Sequence, residues 1–172
     1  MIVYVDGSSR GNPGRGGFVF VMYEDENETR RLYARSSQYD GVTNNQMELA
    51  ALLCALDYIE DYYPTEEVII YSDSKYVVRA CNEWMRTWSR NNWITTKNQP
   101  VENQHLMKPL WNYFKRGFFH CELKHCHGHE GIVGNELADF LARGNFDKFY
   151  AMIDEYNISL DKLEDVDRRD NT

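Results

Sequence analysis

The sequence predicts an α/β fold, a mixed β-sheet with helices packed against it. Three features carry that expectation: three successive strand-like segments at the amino terminus, a short and almost uninterruptedly apolar run at 67–72, and long stretches of helical spacing elsewhere. The order along the chain is β-β-β-α-β-α-α-β-α.

Residues 1–9 and 17–24 read as strands on either side of the turn-rich Arg10-Gly11-Asn12-Pro13-Gly14-Arg15-Gly16, and 29–37 fits a third, giving an antiparallel opening. From Asn44 to Tyr62, apolar Met47, Ala50, Ala51, Cys54, Ala55 and Tyr58 follow the spacing of an amphipathic helix. Glu67-Val68-Ile69-Ile70-Tyr71-Ser72 has the β-branched, non-alternating character of a strand buried on both faces, and polar Asp73 follows at once. Helices fit 74–90 and 103–116, a strand fits 118–126, and a further helix starts near Gly134 or Asn135. Past Phe149 the pattern weakens: a short helix fits between Asp147 and Asn157, and Asp161–Thr172 is charged enough for a flexible tail.

At 172 residues with 42% hydrophobic content, the chain can bury one substantial core, so we expect one domain at 1–146 and a carboxy-terminal extension at 147–172. No apolar run approaches the roughly 20 residues of a membrane span, and the start, Met1-Ile2-Val3-Tyr4-Val5-Asp6, lacks the charged-then-apolar order of an export signal. A cytoplasmic, intracellular protein without a membrane partner is expected, and a monomer is the simplest state. Cys54, Cys81, Cys121 and Cys126 lie inside regular apolar patterns, as reduced, buried thiols do.

The formal charge of -8 lacks the basic footprint usual for phosphate binding. Residues 147–172 hold eight acids and four bases, however, so half of that charge lies in the extension. A cluster of four acids would account for the -4 of residues 1–146, leaving the rest of the domain neutral.

Four acids occupy positions where an acid is a poor structural choice: Asp6 within an apolar strand, Glu48 in the first turns of a helix, Asp73 at a strand end and Asp139 within a helix. Local roles exist for three of them, since Asp73 could cap the next helix, Glu48 could form a capping box with Asn45, and Asp139 could be an exposed helix acid. Asp6 needs an exposed edge or a partner. Carboxylates converging from separate elements repel unless cations lie between them, and hard divalent ions with oxygen ligands supply that neutralisation.

The blocks around these acids are Asp6-Gly7-Ser8 with Gly11-Asn12-Pro13-Gly14, Thr43-Asn44-Asn45-Gln46-Met47-Glu48-Leu49-Ala50, Ser72-Asp73-Ser74-Lys75-Tyr76-Val77, and Gly128-His129-Glu130-Gly131-Ile132-Val133-Gly134-Asn135-Glu136-Leu137-Ala138-Asp139. In order and spacing they resemble the four signature blocks of ribonuclease H of the type 1 class, over about residues 1–145. The resemblance implies a ribonuclease H-like fold with a five-stranded mixed sheet. It also implies an enzyme that hydrolyses the RNA strand of RNA/DNA hybrids endonucleolytically, leaving 5'-phosphate and 3'-hydroxyl ends. Asp6, Glu48, Asp73 and Asp139 are implied to be ligands of two Mg2+ ions, with Mn2+ as the alternative, and His129 to assist proton transfer or product release. Zinc is not expected: the stretch His120, Cys121, His125, Cys126, His127, His129 has no C-x-x-C pair, and strand alternation sends neighbours to opposite faces.

Telling RNA from DNA means sensing 2'-hydroxyls. By resemblance, Asn12, Asn44 and Asn45 lie near the minor groove at the active site, and Thr43 and Asn103 match a pocket for a DNA phosphate. Arg86 and Arg90, with Trp84 and Trp88, fall in the segment that resembles the family's basic protrusion. That protrusion is reduced here to Ser89, Asn91 and Asn92 where lysines are common, and Gly41 stands where the phosphate pocket often has a base. Weaker, more salt-sensitive substrate binding is the expectation. A junction resolvase or reverse-transcriptase domain of the same fold and a non-catalytic hybrid-binding protein are the competing readings; the block around Asn44 and the His129 loop argue against a resolvase, and the intact set of acids argues against a non-catalytic protein.

Overall fold

Alternation along the first strand sends Val3 and Val5 to one face and Ile2 and Tyr4 to the other, and all four are buried, so this strand must lie inside a sheet covered on both sides. The computed structural model, which describes residues 1–23, 32–117 and 120–165, has that arrangement. Strands β1 (Ile2–Gly11), β2 (Gly14–Tyr23) and β3 (Leu32–Val42) form an antiparallel meander. Strands β4 (Val68–Ser72) and β5 (Cys121–His125) extend it in parallel on the other side of β1. The expected strand residues 24, 29–31 and 118–119 lie outside the described residues, as do 166–172 of the expected tail.

Helices α1 (Asn44–Tyr62), α2 (Lys75–Arg79), α3 (Met85–Arg90) and α4 (Gln104–Lys115) follow the expected order, then α5 (Val133–Ala142) and α6 (Phe146–Glu155). A wider, π-helical turn at Ala80–Trp84 joins α2 to α3 and interrupts the single helix expected over 74–90. One core packs α1 and α4 against the β1 face that carries Val3 and Val5, with Leu49, Leu52, Leu56 and Met107 fully buried. The other face, carrying Ile2 and Tyr4, is covered by Leu137, Ala138 and Leu141 of α5 and by Phe149 and Ile153 of α6.

The sheet has six strands rather than five, in the order β5-β4-β1-β2-β3-β6. The added strand, β6 (Leu160–Asp165), runs parallel to β3 in a segment whose composition predicts flexible chain from Asp161 onward. An open β3 would present a row of unpaired backbone groups, and β6 satisfies them. Half-buried Leu160 and Leu163 pack on the α5–α6 core, and Glu164 lies 3.5 Å from Arg35. The apolar residues of Leu160-Asp161-Lys162-Leu163-Glu164-Asp165 stand three apart, which leaves no alternation to read as a strand.

Candidate active site

Parallel pairing sets Val5 opposite Ser72, the last residue of β4, so Asp6 in the middle of β1 and Asp73 just past the end of β4 lie side by side. Glu48 arrives from α1, whose first turn crosses β1 at Gly7. A Cβ at position 7 would lie 2.1 Å from the Glu48 amide nitrogen and from the Met47 carbonyl carbon, a contact that no side-chain movement relieves. Only glycine admits the crossing. One carboxylate oxygen from each of Asp6, Glu48 and Asp73 lies within 4.8 Å of the others, and theirs is the one cluster among the described residues that could hold a metal ion.

The local roles open to these acids are filled by other residues. Thr43 and Gln46 form the capping box of α1, leaving Glu48 out of it. Ser74 caps α2 by accepting from the Val77 amide, so Asp73 is not the cap. Asp6 and Glu48 are each 5% exposed, and the buried oxygens Asp6 Oδ2 and Glu48 Oε2 have no hydrogen-bond partner. Burial raises the pKa of both groups, and the neighbouring carboxylates raise them further, while the Gly7 backbone amide opposes the shift. Two orphaned anionic oxygens in a cluster of like charge fit a hard cation with oxygen ligands.

The fourth acid, Asp139, stands outside this triad. It lies on α5 with its side chain 19% exposed and accepts a 2.7 Å hydrogen bond from Arg143 Nε one turn on. Its charge still reaches the triad, where it raises both Asp6 and Glu48. Helix α5 sits close enough for this because position 134 is glycine: a Cβ there would lie 2.3 Å from the Tyr4 ring.

Asn135 joins the site although its sequence position suggests no more than a helix start. It is buried, donates from Nδ2 to Asp73 Oδ2 at 3.4 Å, and accepts from the Cys126 thiol at 3.5 Å. The signal was present only as an asparagine within the last block, and its partner is distant in sequence.

His129 is exposed on the loop between β5 and α5, with left-handed backbone at φ 61°. Asn12 is exposed in the β1–β2 turn, Thr43 is engaged as the cap of α1, and Asn45 is exposed beside it. Asn44 Oδ1 accepts from the Ser9 amide at 3.3 Å, tying the start of α1 to the end of β1. Asn103 precedes α4 in left-handed backbone, beside Tyr76. Arg86 and Arg90 are exposed, whereas Trp84 and Trp88 pack on the main core with ring centroids 5.6 Å apart. The two tryptophans thus have a structural role whatever else they do.

The sequence matches the profile of the RNase H family over residues 1–146. Among curated relatives, a ribonuclease H of Thermosynechococcus vestitus is 35% identical over 150 residues, covering 82% of this chain and 85% of that protein. One of Paracidovorax citrulli is 36% identical over 148 residues, covering 86% and 95%. Among solved structures, LC9-RNase H1, described as a type 1 RNase H with the type 2 active-site motif, superposes with a TM-score of 0.68 at 23% identity, covering 95% of this chain and 85% of that one. LC11-RNase H1, solved with an RNA/DNA hybrid, gives 0.62 at 22% identity, covering 86% and 96%. The chain belongs to the RNase H family and is an enzyme of the ribonuclease H class. The resemblance read from the four sequence blocks holds. No helix among the described residues is long and apolar enough to cross a membrane.

Proposed function

We propose that the chain hydrolyses the RNA strand of RNA/DNA hybrids endonucleolytically, acting as a monomer through residues 1–146, with 147–172 as an extension. The observation that carries this reading is the Asp6–Glu48–Asp73 cluster, with two buried carboxylate oxygens that lack any partner. Family membership supports it, as does the likeness of fold to LC11-RNase H1, which was solved with such a hybrid.

Asp6, Glu48, Asp73 and Asp139 would hold two Mg2+ ions, or Mn2+. When bound, such ions supply a nucleophilic water at neutral pH and charge stabilisation at the departing oxygen, which corresponds to 5'-phosphate and 3'-hydroxyl ends. Asn135 is a positioning residue that fixes the Asp73 carboxylate. His129, exposed on its loop, is free to reach a leaving group or product and exchange a proton there. Asn12 in the β1–β2 turn and Asn44 and Asn45 at the start of α1 present amides suited to 2'-hydroxyls that both donate and accept. Thr43 and Asn103 would meet a DNA phosphate, and the exposed Arg86 and Arg90 a phosphate farther along the duplex, with Trp84 and Trp88 in the same segment.

The test is cleavage of an end-labelled RNA/DNA hybrid beside single-stranded RNA, duplex RNA and duplex DNA, in Mg2+ or EDTA, with Asp73→Asn as the control. Metal-dependent cutting of the hybrid's RNA strand alone, lost in Asp73→Asn, is expected. A folded protein that binds hybrid but cuts nothing in Mg2+ or Mn2+ would establish the binding-only alternative instead.

A further inference from the structure

Residues Asp6, Ser8 and Arg10 share one face of β1, the face on which α5 lies, so the strand leads from the carboxylates to Arg10 over roughly 13 Å. In the β1–β2 register Arg10 stands directly opposite Arg15. Two like charges opposed across an antiparallel pair destabilise it unless an anion lies between them. Both guanidinium groups are exposed, and neither has an acidic partner among the described residues. Arg143, from the end of α5, lies on the same side. The three arginines line a cavity of about 220 Å3 with Ser8 and Gln38. Its neighbour, of about 680 Å3, shares Ser8, Arg10 and Arg143 and reaches Ser9 and Asn44. Arg143 also holds Asp139 at 2.7 Å, so the basic cleft and the acidic centre are joined through one side chain.

We propose that Arg10 and Arg15, with Arg143 behind them, form a phosphate-binding cleft for the backbone of the nucleic-acid substrate, at a phosphodiester other than the one cut. The inference rests on the proposed hydrolysis of hybrids and adds where this chain grips them. Arginine forks match phosphate oxygens in pairs. A site roughly 13 Å from Asp6 is too far to share the scissile phosphate, so the cleft meets a different phosphodiester of the backbone. The cleft also places positive charge where an overall charge of -8 and a depleted protrusion would otherwise leave the substrate weakly held.

The experiment is hybrid binding by fluorescence anisotropy in EDTA across a salt series, for the parent, Arg10→Gln/Arg15→Gln and Arg10→Lys/Arg15→Lys, with KM and kcat measured in Mg2+. Loss of two contacts should weaken binding about tenfold at moderate salt and flatten the log–log salt slope by roughly two, while the lysine pair retains most of the slope. In turnover the loss should appear in KM rather than kcat. Hybrids with a block of neutral methylphosphonate linkages in either the RNA or the DNA strand then assign the contact: the block that removes the difference between parent and glutamine pair marks the strand. Equal affinity and equal slope for parent and glutamine pair would overturn the cleft even if the parent cleaves hybrid normally. A parent that binds hybrid through this slope yet cuts nothing would instead overturn the hydrolytic reading and leave the cleft standing.

Discussion

Asp73 is the residue through which the acidic centre is most sharply tested, because it takes part in three effects at once. Its charge raises the pKa of both Asp6 and Glu48, its carboxylate accepts from Asn135, and it supplies one corner of the triad. An amide at this position can still accept from Asn135, so Asp73→Asn should fold normally while losing the charge. Without metal, at neutral pH, the variant is expected to be more stable than the parent by about 1 kcal/mol, because a like charge beside two buried carboxylates has been removed. Urea unfolding in EDTA measures this, and a variant less stable than the parent would mean that the cluster is not strained by repulsion. Asp6 was legible in the sequence because an acid between Val5 and Gly7 in an apolar strand has few innocent explanations. Asn135 was not: asparagine near a helix start ordinarily reads as a cap, and only the fold shows that it meets Asp73. Arg10 and Arg15 were equally opaque, since a turn-rich segment hides the register that opposes them.

Element β6 has a consequence for the sheet edge and little for the chemistry. It is separated from β1 by β2 and β3, so the carboxylate centre does not touch it. Cutting the chain after Asn157 removes the half-buried Leu160 and Leu163 and the Arg35–Glu164 pair, and should cost on the order of 2 kcal/mol. It also bares β3, so the shortened protein should self-associate with rising concentration. Light scattering and urea unfolding check both, with hybrid cleavage by the monomeric fraction retained; loss of that cleavage would place β6 in the working site. Glu164 of β6 is already paired with Arg35 and Lys162. Strands β1 and β4 were readable because β-branched residues run through them, and α1 because its apolar positions repeat at helical spacing. The π-helical turn at Ala80–Trp84 and the strand β6 were not, as both depend on what packs against them rather than on a local period.

Across the whole molecule, the sequence permitted the sum of charges to be divided between domain and extension, but not the burial of those in the domain, which follows from β1, β4 and α1 meeting at one point. Burial makes stability depend on pH in a direction opposite to that of an ordinary salt-bridged carboxylate. Asp6 and Glu48 have ordinary values of 3.8 and 4.5 and are raised well above them in the folded chain. Between those values and the raised ones, the folded state holds protons that the unfolded state has released. The slope of unfolding free energy against pH is therefore negative in that window, at up to about 1 kcal/mol per pH unit for each group. In EDTA the thermal midpoint should fall as pH rises from about 4 through that window. A divalent cation binds the ionised carboxylates of the folded state, so Mg2+ should restore the midpoint near pH 7 and do little near pH 4, where protons already neutralise the cluster. Thermal unfolding at several pH values, each with Mg2+ and with EDTA, measures the gap between the two curves. A gap that widens with pH locates cation binding at these carboxylates, whereas a gap of constant size would place it on exposed acids whose ionisation is complete throughout.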